Sequence, residues 1–203
     1  MFKEIIIVGA GGHGKVIADI IEKSGDKVIG FLDDNTDRTE IMGYPVLGKT
    51  QDCEKYADKE FFIAIGNNVM RKNIVNKYAD IKYYTAIHPM AIIAREVQIG
   101  EGTCVMAGAI INSSTAIGSH CIVNSGSVVE HDNRIGDFVH LSPGAILCGT
   151  VFVGECTHIG AGAVIKNNIT IAPNSVIGAG AAVVSNINYE GVYVGVPAKE
   201  IGK

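Results

Sequence analysis

An aliphatic residue returns at every sixth position of this chain from Ile87 to Val183, without a miss. The positions are Ile87, Ile93, Ile99, Val105, Ile111, Ile117, Val123, Val129, Ile135, Leu141, Leu147, Val153, Ile159, Ile165, Ile171, Ile177 and Val183. Two positions earlier there is mostly a small or β-branched residue, as at Thr103, Ala109 and Ser127. Because side chains alternate along a strand, the two residues of each unit face the same way. A hexapeptide period predicts a parallel β-helix.

Three such units make a triangular coil of eighteen residues, and a longer period follows from this. Four glycines directly after aliphatic residues obey it, namely Gly100, Gly118, Gly136 and Gly154. We expect them to stack at one corner, where glycine adopts backbone angles that other residues avoid. The repeat predicts a little over five coils, each burying its faces against the coils above and below.

The segment before the repeat has the pattern of a strand, a glycine turn and a helix. Residues 4–8 are continuously apolar, glycines follow at 9, 11, 12 and 14, and helical spacing comes next. A second strand ends at Asp33 and Asp34, and a third apolar run ends at Gly66. Alone, the glycines resemble a dinucleotide fingerprint, but about 85 residues are too few for two mononucleotide halves. We expect half of such a site, with ligands bound at the strand ends. In the alternative, the glycines only make a tight turn.

A cluster of ionisable groups interrupts an otherwise neutral stretch of the repeat at Glu130, His131 and Asp132. His131 occupies a turn position that faces away from the core, and Gly149 takes its place one coil later. An outward imidazole beside a backbone N–H suits acyl transfer, because one takes a proton and the other stabilises the developing oxyanion. A neighbouring carboxylate fixes the imidazole tautomer. The alternative is a solvated turn histidine.

Other reactive residues carry weaker signals. His140 and His158 lie eighteen residues apart, but no acid or cysteine completes a ligand set, so we expect no metal. Cys148 has no adjacent histidine to activate it, and we interpret it as a packing residue. The five cysteines show no paired spacing and indicate free thiols.

Composition narrows the class of protein. With 17 Lys and Arg against 21 Asp and Glu, the net charge of −4 gives no indication of a basic surface that would bind nucleic acid or an anionic membrane. The first residues do not match a signal peptide, and no apolar run is long enough to span a bilayer. We therefore expect a cytoplasmic protein with neither nucleic acid nor membrane as partner.

These motifs together resemble the PglD/NeuD family of hexapeptide-repeat sugar acetyltransferases. The matching segments are VGAGGHGK, FLDD, FFIAIGNN, NSGSVVEHD, VHLSPGA and VYVGVPAK. The resemblance implies an α/β plus β protein: a Rossmann-like nucleotide-sugar-binding domain over 1–85, then a left-handed parallel β-helix with a C-terminal cap over 86–203. It also implies a homotrimer with active sites between subunits and acetyl-CoA as acetyl donor in the groove between neighbouring prisms.

The resemblance also implies roles for individual residues. His131 would be the general base, oriented by Asp132, which stands where the bacillosamine-pathway members have glutamate, or in part by Glu130. Asn124 would line the same pocket. The acetyl-CoA side would comprise His140 near the acetyl carbonyl, the Gly149 amide, and backbone groups of Ala161 and Ala179. Residues of the first domain would hold the nucleotide sugar, namely Gly11, Gly12, His13, Asp33, Asp34 and Gly66.

The expected reaction is direct acetyl transfer from acetyl-CoA to the C4 amine of a UDP-4-amino-4,6-dideoxy sugar. The nearest alternatives are O-acetylation of sialic acid or its CMP derivative, and N-acetylation of another nucleotide amino sugar such as GDP-perosamine. Two alternatives from other classes are a small NAD-binding redox domain fused to a structural β-helix, and a purely structural trimerisation module. The short first domain argues against the former, and the Glu130–Asp132 cluster argues against the latter.

Overall fold

A computed structural model describes residues 2–35 and 37–202. The chain divides into two compact units, residues 1–89 and 90–203. Within the described residues, no helix is long and apolar enough to cross a membrane.

The first unit is an α/β fold with a six-stranded sheet. Its elements are β1 (Glu4–Val8), α1 (Gly12–Lys23), β2 (Lys27–Leu32), β3 (Glu40–Ile41), β4 (Tyr44–Gly48), a 3-10 helix (Thr50–Tyr56), β5 (Glu60–Ile63), α2 (Asn68–Lys77), β6 (Lys82–Tyr83) and β7 (Ala86–Ile87). The sheet order is β3-β4-β2-β1-β5-β6, and all neighbours are parallel except β3 and β4. The chain leaves β1 towards β2 and later returns to β5 on the other side. The carboxyl end of β1 is therefore a topological switch point, where such sheets bind ligands.

The glycine turn after β1 is shaped by close packing. A β-carbon on Gly14 would lie 2.1 Å from the carbonyl oxygen of Gly9, so only glycine lets α1 begin this close to the strand. The helix then buries Ile17, Ile20 and Ile21 against the sheet. This packing fixes the N-terminal end of α1 beside the end of β1.

The second unit is a left-handed parallel β-helix with three faces. The first face contains Ile92–Ile93, Ile110–Ile111, Val128–Val129, Ile146–Leu147, Val164–Ile165 and Ala182–Val183. The second face contains Gln98–Ile99, Ala116–Ile117, Arg134–Ile135, Phe152–Val153 and Thr170–Ile171. The third face contains Cys104–Val105, Ile122–Val123, His140–Leu141, His158–Ile159, Val176–Ile177, Val192–Val194 and Lys199–Ile201. Successive strands of a face are parallel and eighteen residues apart, as at His140 and His158, except that Val192 pairs with Val176. The last two form an antiparallel hairpin.

The interior follows the predicted pattern of one aliphatic and one small residue per unit. Val105, Ile111, Val129, Leu147 and Ile165 are fully buried. The small residues two positions earlier are buried with them, including Thr103, Ala109, Ser127, Ala145 and Ala163. The stacked aliphatic prism predicted from the period is confirmed.

Each turn of the β-helix from Glu96 to Gly180 places one residue in the left-handed region of backbone conformation. These residues recur at every sixth position from Glu96 to Gly180, with φ between 54° and 69°. Glycine occupies all such positions at the corner between the third and first faces: Gly108, Gly126, Gly144, Gly162 and Gly180. Elsewhere the position is filled by residues such as Ser114, Asp132 and Asn168.

The reason we expected for the other glycine row was wrong. Gly100, Gly118, Gly136 and Gly154 stack at a corner, but none has a positive φ. They are required by close approach of the coils, since a β-carbon on Gly100 would lie 2.5 Å from the carbonyl carbon of Gly118. Backbone stacking rather than backbone angle excludes a side chain there.

Candidate active site

The acidic-histidine cluster forms the turn from the first face to the second. Asp132 takes the left-handed position of that turn, with φ of 60°, a conformation that aspartate tolerates better than most residues. Its Oδ2 lies 2.8 Å from Nδ1 of His131, and both side chains are more than half exposed. Because a carboxylate only accepts, Nδ1 is the donor in this contact, and in a neutral imidazole the lone pair is then on Nε2. An exposed imidazole held in this way by a carboxylate can accept a proton at Nε2.

The imidazole of His131 lies over Gly149 of the next coil. A β-carbon built on Gly149 would be 2.7 Å from Cε1 and 2.8 Å from Nε2 of His131. Gly149 is buried, and the backbone N–H of Thr150 donates to the His131 carbonyl at 3.0 Å. Glycine is therefore needed at this position to leave room for the ring.

Of the two carboxylates, only Asp132 contacts the imidazole ring. The Glu130 carboxylate instead accepts a hydrogen bond from the Asn112 amide one coil below, at 3.0 Å. The sequence left open which acid orients His131, and the geometry favours Asp132.

A second group of residues lies at the corner between the third and first faces. Nδ2 of Asn124 is 3.3 Å from Nε2 of His140, and Oδ1 of Asn124 accepts from the backbone of Ser125 at 2.8 Å. The Asn124 amide is thereby oriented as a donor to His140. The His140 ring stacks on that of His158, with centroids 4.7 Å apart.

Ser142 and His158 extend this group, and the sequence analysis did not assign either of them a role. Ser142 Oγ is 2.8 Å from Nε2 of His158, and Ser142 is buried. The spacing of eighteen between His140 and His158 was the available signal. Among the described residues, no three His, Cys, Asp or Glu side chains converge in a way that would hold a metal ion.

Ala161 and Ala179 lie exposed further along the same corner, in the next two coils. The N–H of Gly180 donates to the carbonyl of Ala161 at 2.8 Å, which ties the two turns together. The expected site residues thus fall into two sets at two corners of the prism. Asn124, His140, Ala161 and Ala179 form one set, and His131, Asp132 and Gly149 form the other. The first face separates them, so a single chain does not bring them together.

A cavity of about 400 Å³ opens at the strand ends of the first unit. It is lined by Ala10, Gly11, Gly12, Lys15, Asp33, Asn35 and Arg38. Asp33 braces it, because its two carboxylate oxygens accept from the backbone of Ala10 and of Asn35, both at 2.7 Å. Lys15 and Arg38 add positive charge beside exposed N–H groups at the start of α1, which suits an anion. The sequence analysis missed Lys15, Asn35 and Arg38.

Asp34 and Gly66 lie outside this cavity. The Asp34 carboxylate accepts from the backbone of Thr50 at 2.8 Å and lines a separate cavity with Asn73 and Lys77. Gly66 is exposed in the loop after β5, where its carbonyl lies 3.4 Å from a guanidinium nitrogen of Arg71. The structure therefore groups only Gly11, Gly12 and Asp33 of the expected nucleotide-binding residues.

His13 is half-buried at the start of α1, with its ring edge-on to Phe62. Burial, with a smaller contribution from the charge of Arg71, lowers the pKa of His13 to about 4. Its Nε2 is buried and finds no hydrogen-bond partner among the described residues. His13 is therefore neutral at physiological pH.

Arg71 is a buried arginine that the sequence analysis did not single out. Its side chain is 1% exposed and donates to the carbonyl of Ile65 and to Oδ1 of Asn68, both at 2.8 Å. These bonds hold the loop between β5 and α2 in place beside His13. In the sequence, Arg71 reads as an ordinary polar residue of a helix.

Comparison with known proteins places the two units in one family. Residues 4–78 match the family model for the PglD N-terminal domain. The UDP-N-acetylbacillosamine N-acetyltransferase of Bacillus subtilis (strain 168) is 42% identical over 112 residues. That alignment covers 52% of this chain and 52% of the enzyme, so the matched region spans about half the length of this curated relative.

Solved structures extend the match over the whole chain. The acetyltransferase domain of PglB from Neisseria gonorrhoeae FA1090, in complex with acetyl coenzyme A, superposes with a TM-score of 0.94 and 34% identity, covering 99% of this chain and 100% of that one. PerB from Caulobacter crescentus, in complex with CoA and GDP-perosamine, superposes with a TM-score of 0.92 and 35% identity, covering 100% and 99%. The chain therefore belongs to the PglD family of hexapeptide-repeat sugar acetyltransferases.

Proposed function

We propose that the protein transfers the acetyl group of acetyl-CoA directly to the C4 amine of a UDP-4-amino-4,6-dideoxy sugar, with His131 as general base. The observation that carries this proposal is the His131–Asp132 pair over Gly149, with its 2.8 Å contact. The pair supplies an oriented, unprotonated imidazole nitrogen at the surface of the prism. Family membership and the named activity of the Bacillus subtilis relative support the reaction class.

The reaction needs one proton acceptor and one oxyanion donor. The sugar amine attacks the thioester carbonyl carbon, and Nε2 of His131 takes the proton that the amine loses. The carbonyl oxygen becomes an oxyanion, which the Gly149 N–H stabilises. The carbon–sulfur bond then breaks, the amide forms, and the imidazolium returns its proton to the CoA thiolate. Asp132 stabilises the charged imidazolium between these steps.

Acetyl-CoA is the donor in this proposal, bound along the corner that carries Asn124, His140, Ala161 and Ala179. The exposed turns there offer backbone groups in register from coil to coil, which suits the amide groups of a pantetheine arm. An acetyl coenzyme A complex of the Neisseria gonorrhoeae relative supports this choice of donor. The chemistry assigned to these residues requires no metal ion.

A complete site needs a second copy of the chain. The outward row of the first face is aliphatic, and it leaves Ile92, Ile146 and Val164 between 38% and 60% exposed. Three copies with their first faces turned towards a common axis would cover this row. Each copy would then bring its His131 corner against the His140 corner of the next. We therefore propose a homotrimer with active sites between subunits.

Nucleotide recognition is assigned to the cavity over residues 10–38. Gly11 and Gly12 present backbone N–H groups to the diphosphate, Lys15 and Arg38 balance its charge, and Asp33 holds the loop. In this proposal His13, Asp34 and Gly66 lie around the bound nucleotide sugar but do not line the cavity itself. A neutral His13 would contribute a hydrogen bond without charge, because its pKa is lowered to about 4.

The Caulobacter crescentus structure favours GDP-perosamine as a second candidate acceptor. The choice between acceptors is tested by CoA release from acetyl-CoA with four acceptors: a UDP-4-amino-4,6-dideoxy sugar, GDP-perosamine, sialic acid and CMP-sialic acid. We expect turnover with the UDP sugar, with the acetylated product identified by mass spectrometry. Faster turnover of GDP-perosamine would show that the acceptor sugar carries GDP rather than UDP. Acetylation of sialic acid alone would show that the acetyl group is transferred to oxygen rather than to nitrogen.

A further inference from the structure

Asn133 is a fully buried amide directly after the His131–Asp132 pair. It occupies the inward small-residue position of its unit, where the other units carry Ala, Ser, Thr, Cys, Val or Ile. A buried amide is expensive unless it is hydrogen-bonded, so its partners indicate its role.

Threonines at this inward position in lower coils show what the fold alone requires. Thr103 Oγ1 donates to the carbonyl of Gly118 at 2.8 Å and accepts from the backbone of Cys121 at 2.9 Å. Thr115 Oγ1 likewise donates to the carbonyl of Glu130 at 2.9 Å and accepts from the backbone of Asn133 at 3.3 Å. A hydroxyl therefore suffices to link one coil to the next.

Asn133 makes the same two links and adds others within its own turn. Its Nδ2 donates to the Cys148 carbonyl at 3.2 Å, and its Oδ1 accepts from the backbone of Val151 at 2.9 Å. The same Nδ2 also donates to the carbonyls of Glu130 at 2.5 Å and His131 at 3.4 Å. Two N–H groups are thus shared among three carbonyl oxygens, two of which belong to the turn that carries His131.

Each of these carbonyls fixes the direction of the N–H group in its own peptide unit. A peptide unit is planar and trans, so holding the Cys148 carbonyl inward turns the Gly149 N–H outward. Holding the Glu130 and His131 carbonyls inward fixes the backbone on both sides of the His131 α-carbon. The Thr115 hydroxyl and the Thr150 N–H also hold the Glu130 and His131 carbonyls. Asn133 is the side chain that contacts both the turn of the base and the peptide of the oxyanion donor in the proposed reaction.

We propose that Asn133 is a positioning residue that sets His131 relative to the Gly149 N–H. The expected change in kcat rests on the proposed function, whereas the expected change in the orientation of His131 does not. Asn133 does not touch the reacting atoms, and its contribution passes through the turn backbone and the Cys148–Gly149 peptide.

The sharpest variant is Asn133→Thr, because threonine keeps the two links between coils and removes only the bonds within the turn. Ser175→Ala is the matched control. Ser175 is equally buried, and its Oγ donates within its turn to the Ala172 carbonyl at 2.8 Å, at a corner without any proposed site residue. We expect Asn133→Thr to lower kcat by about 10- to 100-fold, as a small misplacement of reacting groups does. KM for acetyl-CoA and thermal stability should stay near those of the wild type, and Ser175→Ala should leave kcat unchanged.

A spectroscopic measurement separates this proposal from the proposed function. The ¹⁵N chemical shifts of the His131 ring, assigned by their loss in His131→Gln, report its tautomer. We expect a single Nδ1–H tautomer in the wild type and in Ser175→Ala, and mixed tautomers in Asn133→Thr. If the wild type is inactive but Asn133→Thr still shows mixed tautomers, only the proposed function is overturned. A wild-type tautomer and kcat in Asn133→Thr, or a kcat loss matched by equal unfolding, would overturn the positioning role.

Discussion

The imidazole of His131 occupies the space that a side chain on Gly149 would need, since a β-carbon there would lie 2.7 Å from Cε1. Gly149→Ala should therefore displace the ring while leaving the backbone turn in an allowed conformation. We expect kcat to fall by about 10²-fold, because the base moves away from the oxyanion donor. The double variant with His131→Ala should recover any thermal stability lost, since it removes the clash. Full activity in Gly149→Ala would contradict the assigned geometry.

Asp132 and Glu130 make unlike contacts, which predicts unlike consequences for their amide variants. Asp132→Asn should lower kcat on the order of 10²-fold, because the wrong imidazole tautomer is then favoured. Asparagine tolerates the left-handed conformation at this position, so the turn should persist. Glu130→Gln is the matched control and should change kcat by less than about threefold, since its contact is with Asn112 rather than with the imidazole. Steady-state kinetics of the two variants decides the point, and equal losses would mean that both acids act on His131.

The lowered pKa of the half-buried His13 predicts a loss of stability in mild acid. The pKa of His13 is about 4 in the folded chain against 6.5 for an ordinary histidine. Between these values the unfolded chain binds more protons than the folded chain. The contribution of His13 to the free energy of unfolding is therefore fully present above pH 6.5 and is lost as the pH falls towards 4. The difference corresponds to about 3 kcal/mol. In His13→Asn, the pH dependence of Tm over this window should be shallower. An unchanged slope would contradict the assignment.

Separation of the site over two corners predicts complementation between inactive variants. His131→Ala chains keep the Asn124 corner intact, and Asn124→Ala chains keep the His131 corner intact. Each mixed trimer has one junction that pairs two intact corners, so purified mixed trimers should recover about a third of the wild-type sites. Co-expression with two affinity tags, followed by tandem purification and CoA-release assay, measures this. Activity no higher than that of the separate variants would mean that each site lies within one chain.

Much of the fold could be predicted because the repeat is strictly periodic. A spacing of eighteen places residues above one another whatever their chemistry, so His131 over Gly149 and His140 beside His158 follow from counting. The turn chemistry is less predictable. Glu130 and Asp132 are both adjacent to His131, and their difference depends on which one takes the left-handed position at φ of 60°.

Residues that act through distant or irregular contacts were missed for a physical reason. Arg71 is buried by the loop between β5 and α2 and lies far along the chain from His13. Lys15 and Arg38 line one cavity, but they lie far apart in a part of the sequence that has no repeat from which this could be predicted. Asn133 was visible as an amide in a row of small residues, but its partners depend on the coil above. Periodicity predicts position, whereas these roles depend on hydrogen-bond partners.

CoA release by wild type and His131→Asn tests whether His131 is the base of the proposed direct acetyl transfer. The assay uses saturating acetyl-CoA and the UDP-4-amino-4,6-dideoxy sugar, with trimer content and Tm checked in parallel. We expect kcat to fall by about 10³-fold or more in His131→Asn, within the range for loss of a general base, while the fold and acetyl-CoA binding persist. A variant that keeps a wild-type kcat would show that another group removes the proton.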